Sequence, residues 1–239
     1  MMRGTGLALL LLAAAMPVPA AAQDMESAEV IVTGSRRSAV SGDYASMPLI
    51  GLKRTADFAV QYVSIAGDTR ELPQRRDEIL AMVRNAIALA AQRGVELSTG
   101  TLVVEPLTLA NYRNLPWFND GRPDTDRVNF LVKARLPASG DTKAALDRIQ
   151  AFVKAVPPVG RAQMTASGEL TLSVVGPDQY RGRIVDLVAA DARAIAARVG
   201  PDYAVEARGL DRPVEWTRAT LTEVFLYVPY SYTVVPIRR

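Results

Sequence analysis

Any chemistry in this chain has to be done without histidine or cysteine, because its 239 residues contain neither. A Ser-His-Asp triad, a thiolate nucleophile and a zinc site built on thiolates or imidazoles are therefore excluded. Carboxylates and tyrosines remain as the candidate catalytic groups. Asp120, Asp124 and Asp126 lie in one predicted loop, and one hypothesis is a hydrolase or lyase that uses them. Such catalysis needs a set carboxylate separation and one raised pKa, which a sequence does not reveal.

The same loop, residues 110–126, is the best candidate for recognition. Long loops in compact domains are often functional, and Trp, Tyr and Arg are frequent anchors of interfaces. The candidate binding residues are Tyr112, Arg113, Trp117, Phe118, Asp120 and Arg122. The alternative is that Trp117 and Phe118 fold back to cap the core while the polar residues are solvated.

Metal and cofactor sites are not predicted. The aspartates of the loop do not follow the spacing of a calcium-binding loop, and Arg122 and Arg127 offset their charge. Neither common type of glycine-rich phosphate loop is present. The formal net charge is only +3, without a basic block, so we expect no nucleic-acid partner.

The first 22 residues have the pattern of an export signal. Arg3 precedes the apolar run 7–15, and residues 20–22 are three alanines. The run is shorter than the ~20 residues that span a bilayer, so cleavage after Ala22 is favoured over retention as an anchor. No second run of spanning length follows, so the mature chain is predicted to be soluble and periplasmic.

Residues 23–54 are predicted to be a flexible segment with one β-like run at 29–33. Residues 29–36 also look like the segment near the start of many mature TonB-dependent receptors, where an extended peptide adds to a partner's sheet. The alternatives are a plain first strand or an adaptor that contacts a TonB-like partner. The rest of the chain lacks the repeated amphipathic strands of such a receptor.

Strand and helix patterns alternate after this segment. Strands are predicted over residues 56–66, 99–109, 127–136, 169–175, 203–208 and 221–235, and helices over 74–93, 141–157 and 177–199. In strand 127–136, Val128, Phe130, Val132 and Ala134 share one side, whereas Lys133 and Arg135 share the other. We therefore expect an α+β fold of mostly antiparallel sheets with helices packed on one face, in two strand-helix-strand subdomains.

The last predicted helix is amphipathic, and the last predicted strand is aromatic. A buried stripe is predicted on the helix, formed by Ile184, Leu187, Val188, Ala192, Ile195 and Val199, with Gly200 as its stop. The aromatic strand 221–235 is interrupted by Pro229. It is predicted to be a core strand, or alternatively an exposed edge that pairs subunits.

Three motifs resemble the SIMPL domain family of exported bacterial proteins. Residues 184–200 look like the family's alanine-rich helix and its exit to a short strand. Residues 56–59 are similar to its opening "PD-x-A", and residues 94–107 follow its "G…T..L.L.P" pattern. The resemblance covers residues 55–235, although the family's usual "G-x-G" is displaced here. It implies an α+β fold, an envelope location and self-association, and it brings no catalytic residue.

The sequence therefore predicts an exported, non-catalytic envelope protein that acts through self-assembly or binding. A homo-oligomer is expected, with an envelope protein as a further partner. The carboxylate-dependent periplasmic hydrolase and the TonB-contacting adaptor are the alternatives.

Overall fold

A computed structural model describes residues 29–32, 48–101, 103–119, 121–137 and 141–237 of the chain. The predicted export signal lies outside these residues. The strands are β1 (Glu29–Val32), β2 (Leu52–Thr55), β3 (Phe58–Gly67), β4 (Glu96–Gly100), β5 (Val103–Pro106), β6 (Trp117–Asn119), β7 (Asp126–Arg135), β8 (Gln163–Val175), β9 (Tyr203–Arg208), β10 (Glu215–Arg218), β11 (Glu223–Tyr227) and β12 (Ser231–Pro236). The helices are α1 (Leu72–Ala90), α2 (Thr142–Ala155) and α3 (Arg181–Val199).

The largest sheet closes on itself. Its strands follow the order β3-β8-β1-β5-β4-β7, and β7 pairs with β3 again, which makes a six-stranded ring with β6 added on β7. Every pairing in the ring is antiparallel. The predicted α+β class and antiparallel pairing are confirmed. The expectation of sheets with one helix-covered face is incomplete, because ring closure gives this sheet an inside as well as an outside.

The outer face of the ring forms the main core. Val128, Phe130, Val132 and Ala134 of β7 are all buried there, as the alternating pattern predicts. Helices α1 and α2 cover this face through apolar residues at helical spacing, such as Ile79 and Val83 on α1. Asp141 caps α2 by accepting a hydrogen bond from the Ala144 amide at 3.0 Å.

The inside of the ring is small and partly polar. Ile31, Phe58, Val60 and Leu131 form a separate buried cluster. Lys133 lies on the same side of β7 as Leu131, and its side chain is only 5% exposed. Its ammonium group contacts Glu29 of β1 and lies 3.3 Å from a carboxylate oxygen of Glu96.

Glu29, whose side chain is 13% exposed, is therefore the partly buried counter-charge of Lys133. Its second carboxylate oxygen accepts a hydrogen bond of 2.6 Å from the fully buried Ser173 of β8. The Lys133 ammonium also lies 4.3 Å from the centre of the Phe58 ring. Strand β1 thus contributes both the acid and the apolar Ile31 that close the ring. The described fold consequently starts before residue 55, where the sequence places the domain boundary.

Three predicted strands differ from the structure: 99–109, 169–175 and 221–235, the last of which forms β11 and β12 in two separate sheets. Residues 99–109 form no single strand, because β4 and β5 make an antiparallel hairpin in which Thr99 pairs with Glu105. Gly100 makes the reversal possible: its φ is +113°, and a Cβ there would collide with the Val103 carbonyl. The strand predicted at 169–175 begins earlier, at Gln163, and β10 was not predicted.

The two strand-helix-strand units share one sheet. The strands flanking α1 and those flanking α2 all belong to the ring, and β3 pairs directly with both β7 and β8. The expectation of two subdomains is therefore replaced by a single ring, because hydrogen bonds between β3, β7 and β8 join the units.

Helix α3 belongs to a more peripheral layer. It contacts β9 and β11, which lie in a two-stranded sheet (β9 and β12) and a three-stranded sheet (β10, β11 and β2). Of its predicted stripe only Ile184 and Val188 are buried. Leu187 and Val199 are exposed, because the small β9–β12 sheet covers less of the helix than the ring covers of α1.

Candidate functional site

The predicted binding loop is more ordered than its composition suggests. Residues 112–114 form a 3-10 turn, and Trp117 and Phe118 lie in β6, paired with β7. The two aromatic residues have different environments: Trp117 packs against the core, whereas Phe118 is 39% exposed. The core-capping alternative therefore describes Trp117 only. Asp120 lies outside the described residues.

Arg75 of α1 anchors the far end of the loop. Its side chain is only 7% exposed, and its Nε donates a hydrogen bond of 2.8 Å to Asp126. A second nitrogen donates to the Thr69 carbonyl at 2.6 Å and lies 3.9 Å from Asp124. The two described carboxylates of the hydrolase hypothesis therefore converge on one guanidinium group. Arg76, its neighbour, covers the Trp117 ring at 4.9 Å and so adds a second tie between helix and loop.

Tyr112 brings two further arginines together at the opposite end of the loop. The Tyr112 side chain is buried, and its hydroxyl oxygen accepts hydrogen bonds from Arg113 at 3.1 Å and from Arg84 of α1 at 3.4 Å. Arg84 and its neighbour Arg113 together lower the pKa of the Tyr112 phenol, the Arg84 hydrogen bond being the larger cause. Both arginines are exposed, and within the described part of the chain neither has an acidic partner.

The two arginines line an open groove on α1. The groove has a volume of about 700 Å³, and Arg113 and Val159 line it together with residues of α1. Gln74, Asp77, Leu80 and Arg84 contribute the helix wall. These positions repeat at three- and four-residue steps, so they share one face of the helix.

Glu78 belongs to the groove but is already saturated by donors. It accepts hydrogen bonds from Thr69 at 2.5 Å, from Gln74 at 2.9 Å and from the Arg161 amide at 3.1 Å. These bonds, with the Thr69 bond largest, lower the pKa of Glu78. Gly160, at φ +55°, is required beside it, because a Cβ there would collide with the carboxyl group. Asp77 is therefore the groove acid that is left available.

Sequence reasoning identified part of this arrangement. Tyr112 and Arg113 were candidates. Arg113 lines the groove, whereas Tyr112 does not line it but contacts both groove arginines through its hydroxyl. Trp117, Phe118 and Arg122 do not line it. Arg84 and Asp77 were missed, because nothing in the periodicity of α1 marks which exposed positions meet the loop.

The described residues also include part of the TonB-like segment. The described part of the TonB-like segment is β1, which pairs with β8 on one edge and β5 on the other. Pairing of β1 itself with a partner's sheet would need this strand to leave the ring, and residues 33–36 of the segment lie outside the described residues. No three acidic side chains of the described residues group closely enough to hold a metal ion. Among the same residues, no helix has both the length and the apolar character needed to cross a membrane.

Fold and geometry together define an α+β protein with a closed six-stranded antiparallel sheet and a polar groove beside α1. No protein-family model matches the chain, and no curated protein sequence matches it either. The resemblance to the SIMPL family therefore stays a prediction that rests on the sequence motifs.

Proposed function

We propose that this chain is an exported, non-catalytic protein of the SIMPL-like type that acts in the cell envelope through self-association and binding. Two features of the sequence support this proposal: the predicted export signal and the lack of histidine and cysteine. The observation that carries it is the incomplete burial of the layer formed by α3, β9 and β12.

Apolar side chains remain exposed where α3 ends. Val199 is the last residue of the helix, Tyr203 opens β9, and Val234 lies on β12 on the same face as Tyr203. Ile237 is exposed next to them, since its amide donates to the Asp202 carbonyl at 2.8 Å. We call this set, Val199, Tyr203, Val234 and Ile237, the α3-end patch. Contiguous exposed apolar residues of this kind are typical of contact surfaces.

A second copy of the chain is the partner that suits this patch. The β9–β12 sheet has only two strands, so among the described residues both of its outer edges are unpaired. An edge strand can pair antiparallel with the same strand of another copy around a two-fold axis, which buries the same patch from both sides. Pro236 lacks an amide hydrogen and ends such pairing on β12.

Size-exclusion chromatography with light scattering on the mature chain tests the proposal. We expect an oligomer at micromolar concentration and a shift to monomer for Val234→Lys, because a lysine on an edge strand opposes pairing. Leu109→Lys is the matched control, since Leu109 is also exposed but lies outside the patch. A monomeric wild-type protein across this concentration range contradicts self-association.

A further inference from the structure

The groove beside α1 holds two arginines that form no ion pair with any acidic group among the described residues. The guanidinium groups of Arg84 and Arg113 both reach the single hydroxyl oxygen of Tyr112. They are therefore close enough for one carboxylate to bridge them, and like charges held together in a groove favour an anion between them. Tyr112 acts as a positioning residue that keeps both groups at the groove wall.

The opposite charge lies two turns away on the same helix face. Asp77 precedes Arg84 by seven positions, which corresponds to about 10 Å along an α-helix. Three extended peptide residues span about the same length. The half-buried Leu80 lies between the two charges on the helix, and the half-buried Val159 also lines the groove.

We infer that the groove binds a short extended peptide of about three residues, with its terminal carboxylate at Arg84 and Arg113 and its ammonium group at Asp77. A groove of about 700 Å³ is large enough for such a ligand. Leu80 and Val159 contact its middle side chain. A multiply charged anion would fit less well, since Asp77 would repel it along the groove. The inference rests on the binding half of the proposed function.

Isothermal titration calorimetry with trialanine tests it on the full chain. We expect binding in the high-micromolar to millimolar range, as suits about sixteen ligand atoms. The C-terminally amidated peptide is expected to bind about tenfold more weakly, because it loses charge-assisted hydrogen bonds. N-acetylated trialanine is expected to bind more weakly as well, through loss of the contact with Asp77.

Variants assign the two ends of the peptide. In the double variant Arg84→Gln, Arg113→Gln the free acid and the amide should bind equally, and in Asp77→Asn the free and acetylated peptides should bind equally. Arg93→Gln is the matched control, since Arg93 follows α1, is exposed and does not line the groove. Equal affinity of wild type for acid and amide, or no measurable binding of trialanine, overturns the inference. Light scattering reports self-association without ligand, so the two proposals fail separately.

Discussion

Arg75 and Arg84 lie on the same helix but have opposite surroundings. Arg75 is buried and donates to Asp126 and to the Thr69 and Arg70 carbonyls, so its hydrogen-bonding capacity is largely used within the fold. Arg84 is exposed, and the one hydrogen bond seen for it in the described part of the chain is a long one to Tyr112. A buried cation whose donors are satisfied holds a structure together, whereas an exposed cation without a counter-charge remains available for a ligand.

Lys133 extends the comparison to the ring. Like Arg75, Lys133 is buried, and its ammonium group contacts a carboxylate from a distant part of the chain. Its acid comes from β1, and Arg75 receives its acid from β7. Both contacts therefore tie segments together, and their removal should be measured as lost stability.

The largest effect is expected from Arg75→Met. This change leaves Asp126 buried without its main counter-charge, and breaking a buried pair in this way costs about 3–5 kcal/mol of unfolding free energy. Urea denaturation followed by circular dichroism measures it. Arg76→Met is the control, because Arg76 is more exposed and 3.8 Å from Asp126, and it should cost under about 1 kcal/mol. Equal losses in the two variants would remove the distinction between the buried and the exposed arginine.

Glu29→Gln should have the next largest effect. The amide keeps the shape of the side chain but removes the charge that Lys133 contacts, so we expect a loss of about 2 kcal/mol. Glu96→Gln is the matched variant, because Glu96 also faces Lys133 but is half exposed, and it should cost less. If denaturation finds Glu29→Gln as stable as wild type, β1 does not close the ring through this pair.

These pairs show where sequence reasoning succeeds and where it stops. The alternation in β7 and the apolar face of α1 were predictable, because local periodicity determines which side of an element is buried. Lys133 was placed on the polar side of β7, and the structure places that side inside the ring. Ring closure depends on β1 meeting β5 and β8, and one chain's local pattern does not encode such distant pairings.

The candidate site was likewise predictable only in part. Tyr112 and Arg113 were named as candidates because Tyr and Arg in a long loop are frequent interface residues. Arg84 could not be found in this way, since it comes from α1 and only the folded chain brings it to the Tyr112 hydroxyl. The α3 stripe was overestimated for a related reason: its pattern is amphipathic along the whole helix, but β9 and β12 are too small a sheet to cover it.

The smallest predicted effect is a change in the ionisation of Tyr112, and it reports directly on the exposed Arg84. Arg84 and Arg113 lower the pKa of Tyr112, whereas burial raises the pKa of Tyr232, so Tyr112 should ionise before Tyr232 in an alkaline titration. Ultraviolet absorbance of the phenolate, compared between wild type and Tyr112→Phe, isolates this step. Arg84→Gln should move it to higher pH, and the control Arg93→Gln should leave it in place.

The sign of the linkage sets where stability changes. Because the pKa of Tyr112 is lower in the folded chain than in the unfolded chain, its contribution is complete only above the unfolded value and disappears as the pH falls through the folded value. Arg84→Gln should therefore leave the free energy of unfolding unchanged at neutral pH and reduce it only in alkaline solution. A loss at neutral pH as large as that of Arg75→Met would mean that Arg84 is a structural arginine as well, and the groove would then have no uncommitted cation on α1.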